Sequence, residues 1–429
     1  MSIEATLARF AHEARPSAEA RDILRLCLRD WAACGIAGAG EPVARILRAH
    51  LEGSTGPATL IGGGTARAGH AALCNGTTSH ALDYDDTHFA HIGHPSVAVI
   101  PAALAQAEQT GASLDALVEA AAIGAEASIR VGIWLGRAHY ETGFHQTATA
   151  GAFGATLAAA RLLSLEPQAT RMALGLAATR ASGLKSQFGT MAKPYNAGLA
   201  AETGVEAALL ARAGMTSAAR GLSDGQGFGP THHGAADATA FDGLGDDWAL
   251  IGISHKFHAC CHGLHAMLEA LAGMDALDED ITSILVATHP RWRRVCDIAE
   301  PRTGLEAKFS YRLTAAMALS GIDTAAISSF TDEAARDPAL CALRDRVSVV
   351  SDDTLTEMQA RVTIATGAGD RIELCHDLDA TLPYPARAER IDRKTRALIG
   401  AARADALRLA VEGEALEPLT RLLAQDVSS

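Results

Sequence analysis

The chain has 429 residues, 48% hydrophobic but only 4% aromatic, with 40 glycines and a formal net charge of −13. That length fits two domains, and an acidic chain (pI near 5.7) without a Lys/Arg stripe excludes a nucleic-acid-binding surface. Any anionic ligand must therefore be held by a locally built site.

The opening MSIEATLARFAHEARPSAEA lacks a basic patch followed by an apolar run, so it reads as an amphipathic helix and not a signal peptide. Helical periodicity follows over Arg21–Ala37, Val97–Glu108, Ser113–Leu135, Thr147–Leu163 and Leu199–Ala213, and the abundance of alanine and glycine predicts closely packed helices. Glu119, Glu126 and Arg161 interrupt the Ala-rich stretches well short of the roughly 20 apolar residues of a membrane span. Strand signals are nearly absent as far as residue 250. After Lys256 a helix over His262–Met274 is followed by strand patterns at Ser283–Thr288, Val347–Val350, Glu357–Thr366 and Arg371–Leu374. The last two are joined by a Gly367-Ala368-Gly369-Asp370 turn. Beyond Leu382-Pro383-Tyr384-Pro385 the pattern is helical again. The expected fold class is mainly α: a large all-helical domain (1–251 plus 386–429) with a smaller α+β domain (252–385) inserted into it. The eight scattered cysteines, with no C-x2-C pair, point to the reducing cytoplasm.

The densest chemistry lies in HALDYDDTHFAHIGHPS, which carries four histidines and three aspartates between His80 and Ser96. Pro95 places His94 at the mouth of the helix that follows. His145, Lys193 and Lys256 likewise precede small-residue helices. A helix N-terminus offers N–H groups and partial positive charge, so four basic helix starts could converge on one polyanion. A histidine in such a place stays neutral near pH 7 and can take a proton. The spacing of His88, His91 and His94 beside Asp83, Asp85 and Asp86 also suggests a metal, but the intervening Gly and Pro keep the three imidazoles off one helical face, and no metal is expected. Asp83 and Asp86 can instead accept loop N–H bonds or orient an imidazole. Cys260 and Cys261 read as a buried pair, with Cys261 able to act as a low-pKa thiolate just before a helix.

NGTTSHALDYDDTHFAHIGHPS, GFHQTATAG, MAKPYNAG, HKFHACCHGLHA and AKFSYRLTAAMAL together resemble the MmgE/PrpD family, which includes 2-methylcitrate dehydratase, cis-aconitate decarboxylase and iminodisuccinate epimerase. The resemblance spans essentially the whole chain. It implies an all-helical domain with a smaller α+β lid domain, a homodimer, no required cofactor, and small-molecule di- or tricarboxylate substrates. It further implies that Asp83 and Thr87 form the pocket wall and that His94 and His145 stand near the reacting carbon. Lys193 becomes a carboxylate partner or proton donor, and Lys256 an anion contact from the lid side. Two positions depart from the family pattern: Cys261 stands where the cis-aconitate decarboxylases have a histidine and Leu313 where many members have a tyrosine, which removes two proton donors unless Tyr311 substitutes.

The leading expectation is a cofactor-independent lyase that dehydrates a hydroxylated polycarboxylate, with His94 or His145 as base and positive charge stabilising the enediolate. The alternative is an epimerase acting at the α-carbon of an amino- or imino-dicarboxylate, with Cys261 as a second base. Less expected are a cis-aconitate-type decarboxylase, a metal-dependent hydrolase and a non-catalytic carboxylate-binding protein.

Overall fold

The computed structural model describes residues 2–272, 274 and 281–425. The chain divides into two compact units, residues 1–255 with 399–429, and residues 256–398.

The first unit is helical: α1 (Ile3–Glu13), α2 (Ala18–Gly38), α3 (Pro42–His50), α4 (Ala68–Ser79), α5 (Ser96–Thr110), α6 (Leu114–Thr142), α7 (Gln146–Leu162), α8 (Pro167–Arg180) and α9 (Ala192–Arg212). A two-residue strand pair, β1 (Ala58–Thr59) with β2 (Thr65–Ala66), interrupts it. Helix α7 is the centre, buried from Gln146 to Ala160, and it packs against α5, α6 and α9. The small residues make this possible. A Cβ on Gly124 of α6 would lie 2.6 Å from Gly154 O, and one on Gly154 of α7 would lie 2.4 Å from Gly124 O, so the two backbones touch. Gly198 of α9 approaches α4 in the same way, its Cβ position 2.3 Å from Leu73 O. Backbone-to-backbone helix contacts of this kind leave little room for aromatic side chains. Helices Ala401–Glu412 and Glu417–Leu423 return to this unit and pack on α2.

Three helix ends differ from the sequence expectation. Helix α6 continues past Leu135 to Thr142, but Gly136 (φ 71, ψ −176) breaks its course. Helix α9 begins at Ala192 and not at Leu199, so Lys193 lies inside its first turn rather than ahead of it. Pro194 is tolerated there because first-turn N–H groups have no intrahelical partner. The expected His262–Met274 helix is a 3-10 turn, His262–Leu264, running into an α-helix over His265–Ala272, and Gly273 falls outside the described residues.

The second unit carries a four-stranded sheet in the order β4-β3-β5-β6, from β3 (Ile281–Thr288), β4 (Val347–Ser351), β5 (Gln359–Thr366) and β6 (Arg371–Asp377). β3 runs parallel to β4 and antiparallel to β5, and β5 pairs antiparallel with β6 through the expected turn. The alternation in β5 buries Ala360, Val362, Ile364 and Thr366, and helix His265–Ala272 packs on β5 and β6. Among the described residues no helix is long and apolar enough to cross a membrane.

Candidate active site

The loop from His80 to Pro95 connects α4 to α5 and turns through two non-glycine residues in the left-handed region, Asp83 (φ 51) and Ile92 (φ 54). Such residues cost about 1–2 kcal/mol each and persist only where surrounding contacts fix them. The fixing contacts are local. The His94 N–H donates to Thr147 Oγ1 in the first turn of α7 at 3.0 Å, and Thr87 exchanges backbone hydrogen bonds with Ser254 at 2.8 Å in each direction.

At the centre is the buried carboxylate of Asp85, bracketed by two histidines. His80 Nδ1 lies 2.8 Å from Asp85 Oδ1, and His94 Nδ1 lies 2.7 Å from Asp85 Oδ2, an ion-pair separation lying off the hydrogen-bond axis. The two rings meet edge to face, 4.6 Å between centroids. Burial by itself would raise the Asp85 carboxyl, but the two imidazoles hold it well below the usual carboxylate range. Burial lowers His80 to about 4, so its ring is neutral at pH 7, and its Nε2 is a buried atom without a hydrogen-bond partner.

The polar mouth adds one cation. Lys193 Nζ stands 2.7 Å from Asp83 Oδ1, the same oxygen that lies 3.5 Å from His94 Nε2. His145, N-cap of α7, is anchored by its N–H to Gly183 O at 2.9 Å. Its Nδ1 is 3.3 Å from Asn196 Nδ2, one helical turn beyond Lys193. The His145 ring lies 6.2 Å from that of His80 and meets the half-exposed Phe188 edge-on at 5.0 Å. Burial, with Lys193 adding to it, depresses His145 well below the usual histidine range. His80, His94 and His145 thus form one imidazole cluster beside an ammonium–carboxylate pair, able to exchange a proton with a bound anion and to stabilise negative charge.

Asp83, His94, His145 and Lys193 from the sequence expectation meet here. Asp86 points away from this group. Its Oδ1 accepts the Ser96 N–H at 3.3 Å and its other oxygen accepts the Ser96 hydroxyl, capping the start of α5. Burial, reinforced by Asp30 and Asp85, raises its carboxyl to about 7. A carboxyl whose folded pKa exceeds its unfolded value costs nothing below about pH 4, and its cost grows until the folded group has ionised, near pH 7. Asp86→Asn is therefore expected to stabilise the chain increasingly between pH 4 and 7 and by a constant amount above. Melting temperatures across that range check this, and a difference independent of pH would contradict it.

His88 and His91 do not join the cluster. His88 Nε2 contacts Ala249 O at 3.2 Å while its Nδ1 accepts the His91 N–H, and His91 is a buried ring packed against Gly93 and Gly132. The donor set that does gather, His80, Asp83, Asp85 and His94, has its ligand atoms within 4.8 Å of one another. The Lys193 ammonium is already against the Asp83 oxygen of that set.

In the second unit, Lys256 is buried, six residues ahead of the 3-10 turn. Cys261 is half-buried at the N-cap of that turn, and its hydrogen bond to Cys296, together with burial, pushes the Cys296 thiol up. The Tyr311 hydroxyl is fully buried, donates to Gly263 O at 2.5 Å and contacts Thr288 Oγ1 at 2.8 Å.

His80, Asp85 and Asn196 were not singled out from sequence as site residues. Asn196 lay ahead of the expected helix start at Leu199, so its place three residues beyond Lys193 on one face of α9 was not readable from the sequence. His80 and Asp85 had only their presence in the histidine-aspartate segment, because the loop path that joins them depends on the positive-φ turn at Asp83.

Residues 5–240 match the MmgE/PrpD N-terminal domain and residues 258–417 match the MmgE/PrpD C-terminal domain. The chain is 30% identical over 297 residues to the cis-aconitate decarboxylase-like protein oryM of Aspergillus oryzae, covering 63% of this chain and 61% of that protein. It is 32% identical over 224 residues to cis-aconitate decarboxylase of Aspergillus terreus, covering 48% of this chain and 45% of the relative. The human cis-aconitate decarboxylase is 34% identical over 166 residues, 37% of this chain and 34% of that protein. The aligned regions span less than two thirds of each of these relatives.

Proposed function

The chain belongs to the MmgE/PrpD family, and on that premise we propose that it is a cofactor-independent lyase that eliminates water from a hydroxylated di- or tricarboxylate. The observation that carries this reading is the cluster of His80, His94 and His145, the first two bracketing the buried Asp85 carboxylate, with Lys193 paired to Asp83 beside it. A proton on carbon next to a carboxylate is removed by an imidazole, and the electron pair spreads into that carboxylate as an enediolate. Lys193 stabilises the developing charge, and the hydroxyl on the neighbouring carbon leaves as water after accepting a proton. Lys256 keeps the role the resemblance implies, an anion contact, and Cys261 belongs to the epimerase alternative as its second base.

The curated relatives are decarboxylases by name, which makes decarboxylation the nearest rival. Against it stand Cys261 and Leu313 at the two departures and the Tyr311 hydroxyl committed to Gly263 and Thr288. The experiment is an incubation of EDTA-treated protein with hydroxy-di- and tricarboxylates, cis-aconitate and amino-dicarboxylates. Growth of unsaturated-carboxylate absorbance from a hydroxy acid is expected. Carbon dioxide from cis-aconitate would favour the decarboxylase, and α-deuterium exchange without elimination would favour the epimerase.

A further inference from the structure

His94 and His145 are held by partners of opposite hydrogen-bonding sense. His94 Nδ1 stands 2.7 Å from Asp85 Oδ2, while Asp85 Oδ1 receives His80 Nδ1 at 2.8 Å. The His94 contact lies off the hydrogen-bond axis, but a carboxylate oxygen so close repels a ring lone pair and attracts a ring N–H, whereas the Asp83 oxygen on the other side is farther, 3.5 Å from Nε2, and already paired with Lys193. The hydrogen is therefore placed on His94 Nδ1 and the lone pair on Nε2. His145 is the reverse case. The Asn196 amide nitrogen lies 3.3 Å from His145 Nδ1 and 3.4 Å from the carbonyl oxygen of Leu184. A carbonyl oxygen only accepts, so this amide atom is the donor to both. His145 Nδ1 then holds the lone pair and Nε2 carries the hydrogen.

We infer that Asp85 and Asn196 are positioning residues that set His94 and His145 in opposite tautomers, making His94 Nε2 the base and His145 Nε2–H a hydrogen-bond donor to the enediolate. His80 supports the first half by occupying the second oxygen of Asp85, which fixes the plane of that carboxylate. The assignment rests on the elimination reading and divides its work. The substrate C–H bond breaks and its proton goes to His94 Nε2. The electron pair passes through the enediolate into the new C=C bond as the C–O bond breaks. The departing hydroxide takes a proton from the Lys193 ammonium and leaves as water. His145 transfers nothing: a neutral imidazole is a weak acid but a good hydrogen-bond donor to an oxyanion, and burial keeps it neutral.

Tautomers are read directly from ring-nitrogen shifts. The chain is labelled with 15N-histidine, long-range 1H–15N correlations are recorded at alkaline pH, and the two rings are assigned by signals lost in His94→Asn and His145→Asn. His94 is expected with hydrogen on Nδ1 and His145 with hydrogen on Nε2. Either ring in the other tautomer overturns the inference. Asn196→Asp replaces the donor by an acceptor and is expected to move the His145 hydrogen to Nδ1. It should also lower kcat by about 10- to 100-fold while KM changes less than about threefold. An unchanged His145 spectrum in a folded Asn196→Asp protein would likewise overturn it. If no polycarboxylate is turned over, the elimination reading fails by itself, because the spectra still decide how the two histidines are held.

Discussion

Replacing His94 with asparagine is expected to lower kcat by about 10²- to 10⁴-fold with little change in melting temperature. The asparagine amide nitrogen takes roughly the place of the imidazole Nδ1, so the contact with Asp85 Oδ2 at 2.7 Å can be kept. The backbone N–H to Thr147 Oγ1 is untouched by the exchange. What disappears is Nε2, the one ring atom that faces the polar mouth near Asp83 and Lys193. Steady-state rates and thermal unfolding of the same preparation separate the two effects. A kcat within threefold of the parent would remove His94 from the proton transfer.

Lys193→Met is expected to cost about 10²- to 10³-fold in kcat/KM, the range for losing a group that stabilises transition-state charge. The ammonium balances Asp83 at 2.7 Å, and Asp83 is the most exposed carboxylate of the cluster, with 47% of its side chain accessible. Without Lys193, an incoming polycarboxylate meets this carboxylate uncompensated. The double variant Lys193→Met with Asp83→Asn should therefore regain part of the lost KM but not the lost kcat, as steady-state kinetics on the four proteins of the cycle would show. Equal loss in single and double variants would mean that the lysine acts only through its own charge on the substrate. Lys193→Arg should recover binding better than turnover, because a planar guanidinium cannot present its protons where the compact ammonium did.

The runs of helix-forming residues made α2, α5 and α7 legible, although α5 and α7 are buried on every side over Ser96–Ala107 and Gln146–Ala160, and alternation with a glycine turn made the β5–β6 hairpin legible. Periodicity misplaced the start of α9 because a proline was read as standing before the helix, whereas a first turn accepts one. The break at Gly136 was hidden within a run whose composition is helical throughout. The site divides in the same way. His94 and His145 stand next to helix starts, which the sequence displays, and the structure brings both to one cluster. Lys193 joins them through its salt bridge with Asp83. Asp85 and His80 are joined by a loop conformation and full burial, properties of the folded chain that five residues of separation in sequence do not reveal. Asp86 shows the opposite limit: its neighbour Asp85 serves the imidazoles while it caps α5, and adjacent identical residues with opposite directions cannot be told apart by composition.

The most direct test is a proton NMR time course in deuterium oxide, with EDTA present and a hydroxy-tricarboxylate as substrate. Elimination by the chain's own residues predicts a new vinyl resonance from the unsaturated product, a rate unaffected by EDTA, and loss of that signal in His94→Asn. A reaction abolished by EDTA and restored by a divalent metal would contradict it. So would a folded protein that leaves every hydroxy acid of the panel unchanged.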